Sequence, residues 1–407
     1  MKKKYFIAIG MSLAAAVFGF QSDAQSEEDG FNIITSKNTK IKFYGFIRLD
    51  GVYDDSRPSN KKVPVFINSE DEGASAGTKK NEDSFTFHTK LTRFGFALDG
   101  PTIKEMNDAK VTGKLELDFY GTAAAESRNH LRMRKAYVNF AWDNFDLLTG
   151  QTSDLISPLY PAVNPDMVMW GAGNLGDRRP QIRGTYTVND NIVLQAMAGT
   201  TGAIDNTDID AGGTIGNGVN DGDAGSHPTF QARASFKNDK IEFGVWGYEA
   251  KEDPGTAIAL HGADDFRSHA VGYDFMMKLG DTTIKSEAWI GANLDDVRGG
   301  MNQGLNTAHV TGSGTTTKEI DARGGWVEVT QKLTDTYSLS VGHTQDNPDN
   351  KDLNTGSRKH NKVSYLANRW NYGDIQLGLD YLYWKTEFKG QGGGLDNRVN
   401  FFVAYNF

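Results

Sequence analysis

Residues 111–120 carry a pattern that few folds accept. Val111, Leu115, Leu117 and Phe119 share one parity, while Thr112, Lys114, Glu116 and Asp118 share the other. Successive side chains of a strand point to opposite sides, so this stretch is a β-strand with one apolar and one charged face. The pattern returns in 230–236 and 284–294, and along Ile375, Leu377, Leu379, Tyr381 and Tyr383. It closes the chain at Val399, Phe401, Val403, Tyr405 and Phe407. Sixteen segments of this kind lie near 41–53, 85–98, 110–120, 131–142, 144–151, 180–188, 191–200, 229–237, 240–250, 266–279, 282–294, 319–333, 336–345, 361–372, 374–387 and 397–407. Most reach the roughly 9–11 residues that a tilted strand needs to cross a bilayer. Phase changes at Arg93 and in the strand of Arg132 and Arg134 predict bulges.

The connections alternate in length. Short links at 143, 189–190, 238–239, 280–281, 334–335 and 373 follow even strands; 99–109 is the longer member of that set. Long links at 54–84, 152–179, 201–228, 251–265, 295–318 and 346–360 follow odd strands. Short turns on one rim and long loops on the other describe an up-and-down, all-β, antiparallel transmembrane barrel. An even count places both termini on the short-turn, periplasmic rim. The rival is a pair of soluble β-sandwiches, but sixteen strands would then need an interdomain linker, and no Pro-rich or Ser-rich linker is present. A terminal Phe407 on an alternating strand is also the assembly signal expected of outer-membrane barrels, and implies the barrel-assembly machinery as a partner.

The N-terminus supports export. Lys2, Lys3 and Lys4 precede an apolar run over 5–20 and the small-x-small site Ser22-Asp23-Ala24. This predicts a signal peptide over 1–24, a short periplasmic segment over 25–40 and a barrel over 41–407. Its removal takes away three Lys and one Asp, so the formal charge moves from -9 to -11. No later run is apolar enough for a transmembrane helix. Forty-six glycines against ten prolines, with 23 Phe, 15 Tyr and 7 Trp, suit strands and turns. The absence of cysteine excludes disulfides, a thiol nucleophile and a thiolate zinc site. The acidic balance argues against a nucleic-acid partner.

Several motifs carry a family resemblance: 43–53 (FYGFIRLDGVY), 92–96 (TRFGF), 113–121 (GKLELDFYG), 131–138 (LRMRKAYV), 148–152 (LTGQT) and 179–183 (RPQIR). In this order they resemble the DcaP-like porins, trimeric-porin-type barrels associated with dicarboxylate uptake. The likeness is dense over 41–183 and thins to strand pattern beyond. Residues 25–40 are too short for the helical extension of some relatives. The resemblance implies a homotrimer in outer-membrane lipid. It also implies that the loop over 152–178 folds into the lumen as a constriction. That loop holds Pro158, Tyr160, Pro161, Asn164 and Pro165, with the apolar run Met167-Val168-Met169-Trp170. Proline fixes φ and stiffens such a loop.

A pore selects by charge where it is narrow. Arg48, Arg93, Arg132, Arg134, Arg183 and Arg233 fall on faces aimed inward, and Arg178 and Arg179 stand where the loop returns. With Arg132 and Arg134 inward, Leu131 and Tyr137 are expected to face lipid. A guanidinium offers a carboxylate two parallel hydrogen bonds. The competing reading pairs these arginines with Asp50, Glu116, Asp118 and Asp380 as structure. Asp205, Asp208, Asp210, Asp221 and Asp223 crowd one loop, but without the spacing of a calcium loop. No metal, cofactor or catalytic constellation is expected. The expected function is an outer-membrane porin for small hydrophilic, anionic solutes such as dicarboxylates. A phosphate- or sugar-permeable porin, and a plugged barrel that anchors a binding surface, are the alternatives.

Overall fold

The computed structural model describes residues 31–35, 38–71, 82–121, 128–164, 168–202, 226–252, 266–311 and 314–407. The expected signal peptide over 1–24, Pro165, Met167 and the acidic loop with Asp205, Asp208, Asp210, Asp221 and Asp223 lie outside the described residues. A short strand β1 (Phe31–Thr35) comes first. It is followed by β2 (Lys40–Asp54), β3 (Ser84–His88), β4 (Arg93–Ile103), β5 (Ala109–Gly121), β6 (His130–Ala141) and β7 (Phe145–Ser153). Then come β8 (Arg178–Asn189), β9 (Ile192–Gly199), β10 (Thr229–Lys237), β11 (Ile241–Glu252), β12 (Phe266–Leu279) and β13 (Thr282–Ala292). The chain continues through β14 (Leu305–Thr311), β15 (Gly314–Glu319), β16 (Asp321–Lys332) and β17 (Tyr337–Pro348). It ends with β18 (Arg358–Tyr372), β19 (Ile375–Phe388) and β20 (Gln391–Asn406).

Each strand pairs antiparallel with the next around a ring, and β20 closes it on β2 through Ile47↔Tyr405 and Asp50↔Phe402. Strands β3 and β4 both pair with β2 and together form one stave. Hairpin β14–β15 stands apart from the ring. The result is a closed barrel of sixteen staves, which leaves no edge for another chain.

The two parities have opposite fates. Ile47 is 63% exposed and Leu115 39%, whereas Arg48 is 3% exposed and Glu116 0%. Apolar residues face out and charges face in, the inverse of a soluble sandwich. In lipid that outer surface is the buried one. No helix among the described residues is long and apolar enough to cross a membrane. Short turns form where the sequence supplies their chemistry. Asn189 Oδ1 accepts from Asn191 N at 2.9 Å, and Asn238 Oδ1 accepts from Lys240 N at 2.9 Å. Gly280 and Gly373 both take φ +60°, with open space around them, so it is the backbone angle that selects glycine there.

Two boundaries and one side-chain orientation differ from expectation. The segment expected over 85–98 breaks at 89–92: Phe85 and Phe87 face out before the break, and Phe94 and Phe96 share the outward row after it. In β6 the register steps from Glu116↔Lys135 to Leu117↔Met133, so Arg134 is the extra, bulged residue. Leu131 does face lipid, but beyond the bulge the parity flips. Val138 faces out, and Tyr137 turns inward beside Lys114, contrary to the expected outward Tyr137. The last strand begins at Gln391 rather than 397, because a two-residue turn at Lys389-Gly390 carries the pairing up through the glycines of 392–394.

Candidate functional site

Between β7 and β8 the chain stays against the inner wall. Leu155 N donates to Gln231 Oε1 on β10 at 2.7 Å, and Leu159 N to Glu287 Oε1 on β13 at 2.7 Å. Ala162 N donates to Glu328 Oε2 on β16 at 2.5 Å, and Asn164 N to Asp380 Oδ2 on β19 at 2.7 Å. The Asn164 amide then reaches Asp50 Oδ1 on β2 at 2.9 Å. The segment is therefore tied to four staves, β10, β13, β16 and β19, by one acceptor residue on each before it reaches a fifth, β2. Pro158 and Pro161 have no N–H to satisfy and stand between the donors. Each bond to a buried carboxylate contributes about 1.5–3 kcal/mol. Ser157 takes φ +47°, which lets its hydroxyl donate to Glu287 Oε2 at 2.5 Å.

Two further segments interlock with this one. Gly171 N donates to Arg298 O and Gly176 N to Val297 O, at 2.9 and 2.8 Å. Arg298 also holds Asp177 at 2.8 Å. Ile67, from the long connection after β2, donates its N–H to Thr386 Oγ1 at 2.9 Å and packs with Val163, Met169 and Trp384. Asp177, in the loop, is buried, which pushes its carboxyl up, but Arg178, Arg298 and Arg132 pull it down further, so it sits below the usual carboxylate range.

The sequence-selected arginines all lie on this inner side, and they divide into two groups. Arg48 is bound to Asp50 at 2.6 Å and touches Asn164, and Arg233 is bound to Asp274 at 2.6 Å. Arg179 is fully buried between Asp154 and Asp296, each at 2.7 Å, and also donates to Thr200 O at 2.8 Å. These three are structural clamps. Arg132, 35% exposed, and Arg134, 12% exposed, share Asp118, and Arg134 reaches Glu116 at 2.7 Å. Arg93 stands 3.8 Å from Glu116. Arg178 pairs with Asp177 at 3.2 Å, with Trp170 alongside. Arg183 donates to neutral oxygens, Gln181 Oε1 at 2.8 Å and Ser153 O. Among loop residues, Tyr160 O accepts from Lys285 at 3.4 Å.

Lysines were missed by the sequence reading. Lys114 lies over the Tyr44 ring at 5.3 Å, Lys135 opposes Glu116 after the bulge, and Lys90 approaches Tyr120 at 5.8 Å. The even parity of Lys114 was a usable signal; Lys135 is turned inward only by the bulge. Thus Arg93, Lys114, Arg132, Arg134 and Lys135, on β4–β6, stand with two carboxylates, Glu116 and Asp118, and Arg183 on β8 adds a further cation to that side of the wall. Asp99 and Asp146 lie nearer the short-turn rim.

Phe407 exchanges two backbone bonds with Gly45, both at 2.9 Å, and stacks on Phe43 at 5.3 Å. At the long-loop rim, Asp321, Asp349 and Asp352 bring oxygens within 4.8 Å of one another. Lys351 sits on Asp321 and Asp349 at 3.1 and 2.9 Å and Lys318 on Asp352, so ammonium groups already balance that cluster.

The family described as DcaP outer membrane protein matches residues 17–238, more than half of the chain. The fold is similar to that of the outer membrane channel DcaP of Acinetobacter baumannii, at 19% identity and TM-score 0.71, over 92% of this chain and 99% of that one. It is also similar to an anion-selective porin from Comamonas acidovorans, at 10% identity and TM-score 0.58, over 91% and 100% of the two chains. A trimer form of OmpT from Vibrio cholerae aligns at 11% identity and TM-score 0.54, over 91% and 100%. No curated protein matches.

Proposed function

The chain belongs to the DcaP outer membrane protein family, and from that premise we propose that this outer-membrane channel prefers small anionic solutes, dicarboxylates among them. One observation carries the reading. The loop after β7 uses up Glu287, Glu328 and Asp380 as acceptors for its own backbone, and Asp50 for Asn164 and Arg48. The acidic part of the inner wall is thereby covered by an uncharged stretch over 158–162, while the cation-rich wall of β4–β8 keeps partly exposed guanidinium groups. A charged wall facing a neutral loop favours anions, and a narrow passage screens that field poorly. Arg132, Arg134 and Arg183, with Arg178 at the loop's return, are the proposed anion path. Arg48, Arg179 and Arg233 shape it. Pro158, Tyr160, Pro161, Asn164 and Pro165 belong to the constriction. The reading extends to a homotrimer, to export through the signal peptide over 1–24, and to insertion through the C-terminal strand.

The test is a planar-bilayer recording under a salt gradient. An anion-selective reversal potential and current block by succinate support the proposal; a cation-selective potential overturns it. Three inward segments packed around Ile67, Val163, Met169, Leu175 and Val297 favour one alternative, a nearly plugged lumen that serves as an anchor. That alternative predicts almost no current.

A further inference from the structure

The outer face of β16–β19 carries a groove of about 460 Å³ that the channel reading does not use. It is built from two outward rows in register. The upper row is Val327, His343, Ser364 and Tyr383; the lower is Val329, Val341, Leu366 and Tyr381. His343 Nδ1 and Ser364 Oγ are 2.9 Å apart, so these two side chains satisfy each other, and the rest of the two rows is aliphatic and aromatic.

The next row toward the long-loop rim is Gly325, Gln345, Lys362 and Lys385. Lys362 and Lys385 are direct register partners, an arrangement that repels. Beyond them stand Arg323, exposed, and Lys359, which shares Glu387 with Lys385 at 3.8 and 2.8 Å. Arg323 and Lys362 form no ion pair among the described residues. Four cations and one carboxylate thus crown an apolar trough.

We propose that this face binds a phosphorylated glycolipid of the outer leaflet, its phosphate between Lys362 and Lys385 and an acyl chain in the groove. The rim is extracellular, because both termini and the short turns lie at the other end. Interfacial lysines ordinarily snorkel singly toward headgroups. Two that face each other in register gain from a shared anion that cancels their repulsion, as basic pockets on membrane proteins do for lipid phosphates. A neighbouring protein copy would have to bury the same facing lysines against its own surface.

The test is native mass spectrometry of the detergent-purified barrel with hexa-acylated lipid A, its enzymatically dephosphorylated form, and inorganic phosphate. The variants are the pair Lys362→Gln with Lys385→Gln, and the groove-filling Val341→Trp. Wild type should retain lipid A at least tenfold better than the double-Gln variant, and better than it retains the dephosphorylated lipid. Val341→Trp should weaken retention with every charge in place. Without lipid, the double-Gln variant should melt close to wild type, since it removes the facing like charges and the exposed Lys385–Glu387 pair together. Equal retention of both lipids, equal retention by all variants, or competition by millimolar phosphate alone would overturn the site. A change of subunit stoichiometry with unchanged lipid retention would assign the face to a second copy and overturn it equally.

Discussion

The hydroxyl of Tyr365 reaches Glu328 at 2.8 Å by lying flat over Gly342, the residue between them on the intervening strand. Glu328 in turn receives Ala162 N from the inward loop. The arrangement occurs a second time: Tyr44 crosses Gly95 to reach Glu116 at 3.1 Å, on the wall opposite the loop's anchors. In each case a bare backbone lets a ring span two strands and fix a lumen carboxylate.

A Cβ at Gly342 would come within 2.1 Å of the Tyr365 ring, so Gly342→Val should expel that ring and leave Glu328 short of a donor. The expected cost is about 1–3 kcal/mol, visible as a lower urea midpoint. The barrel should still form, but single-channel traces should become noisier as Ala162 loses a fixed acceptor. Unchanged noise and midpoint would show that the loop does not depend on this relay.

Leu117 faces lipid on β5, whereas Gln195 faces the lumen on β9 beside Thr185. Leu117→Arg should cost roughly 2–4 kcal/mol if near the bilayer midplane. Gln195→Glu, opposite Arg233 in register, should leave the unfolding curve within experimental scatter. Folding titrations into vesicles measure both. Equal damage from the two would mean that the faces have been misassigned.

The barrel was legible because parity is a backbone property: each strand must show the lipid one face and the water another, whatever its neighbours are. The outward Leu117 and inward Glu116 followed from that alone. What parity leaves open is what meets what across the lumen. Arg48 and Arg233 were aimed inward and Arg179 was placed at the loop's return, yet their carboxylate partners come from β2 itself, from two separate loops and from β12. Nothing in the local sequence distinguishes a clamped arginine from an available one. Lys135 was missed for a related reason, since the bulge at Arg134 that turns it inward is a one-residue accommodation between β5 and β6. The early start of β20 was hidden by the glycines of 392–394, which read as loop but pair as strand under Ile67 and Asn68.

Asp177 gives a pH prediction with a definite sign. Its carboxyl is held below the usual range, so its stabilising contribution is complete above about pH 3.9, the unfolded value. It is lost as pH falls through the lower folded value. Wild type should therefore be more heat-stable than Asp177→Asn at neutral pH. The gap should persist at pH 5 and close only well below pH 4. A gap that closes already near pH 5 would contradict the depressed carboxyl.

Phe407 is joined to β2 by its two bonds to Gly45 and its stack on Phe43, where the end of the chain closes the ring. Deleting Phe407 removes both bonds at the closing seam. Outer-membrane yield should fall at high expression, with unfolded protein accumulating in the periplasm. Equal membrane yield from the truncated chain would remove the seam from the assembly argument.

Arg179 and Arg183 are four residues apart on one face of β8, and the structure gives them different tasks. Arg179 is fully buried, and its clamp joins the loop after β7, through Asp154, to the one after β13, through Asp296. Arg179→Ala would strand two buried carboxylates, a loss of about 3–5 kcal/mol, and would free both loops from each other. Its mark should be a larger, noisier conductance. Among the described residues Arg183 donates to Gln181 Oε1 and Ser153 O and to no carboxylate, so no such hydrogen bond offsets its charge there. A cation in that state lowers the energy of a passing anion without holding the loop. Arg183→Gln keeps hydrogen-bonding capacity and should leave conductance close to wild type, while moving the reversal potential toward cations. Paired recordings of the two variants separate size from charge. If Arg183→Gln changes conductance but not reversal potential, or Arg179→Ala does the opposite, the division between clamp and selector is wrong.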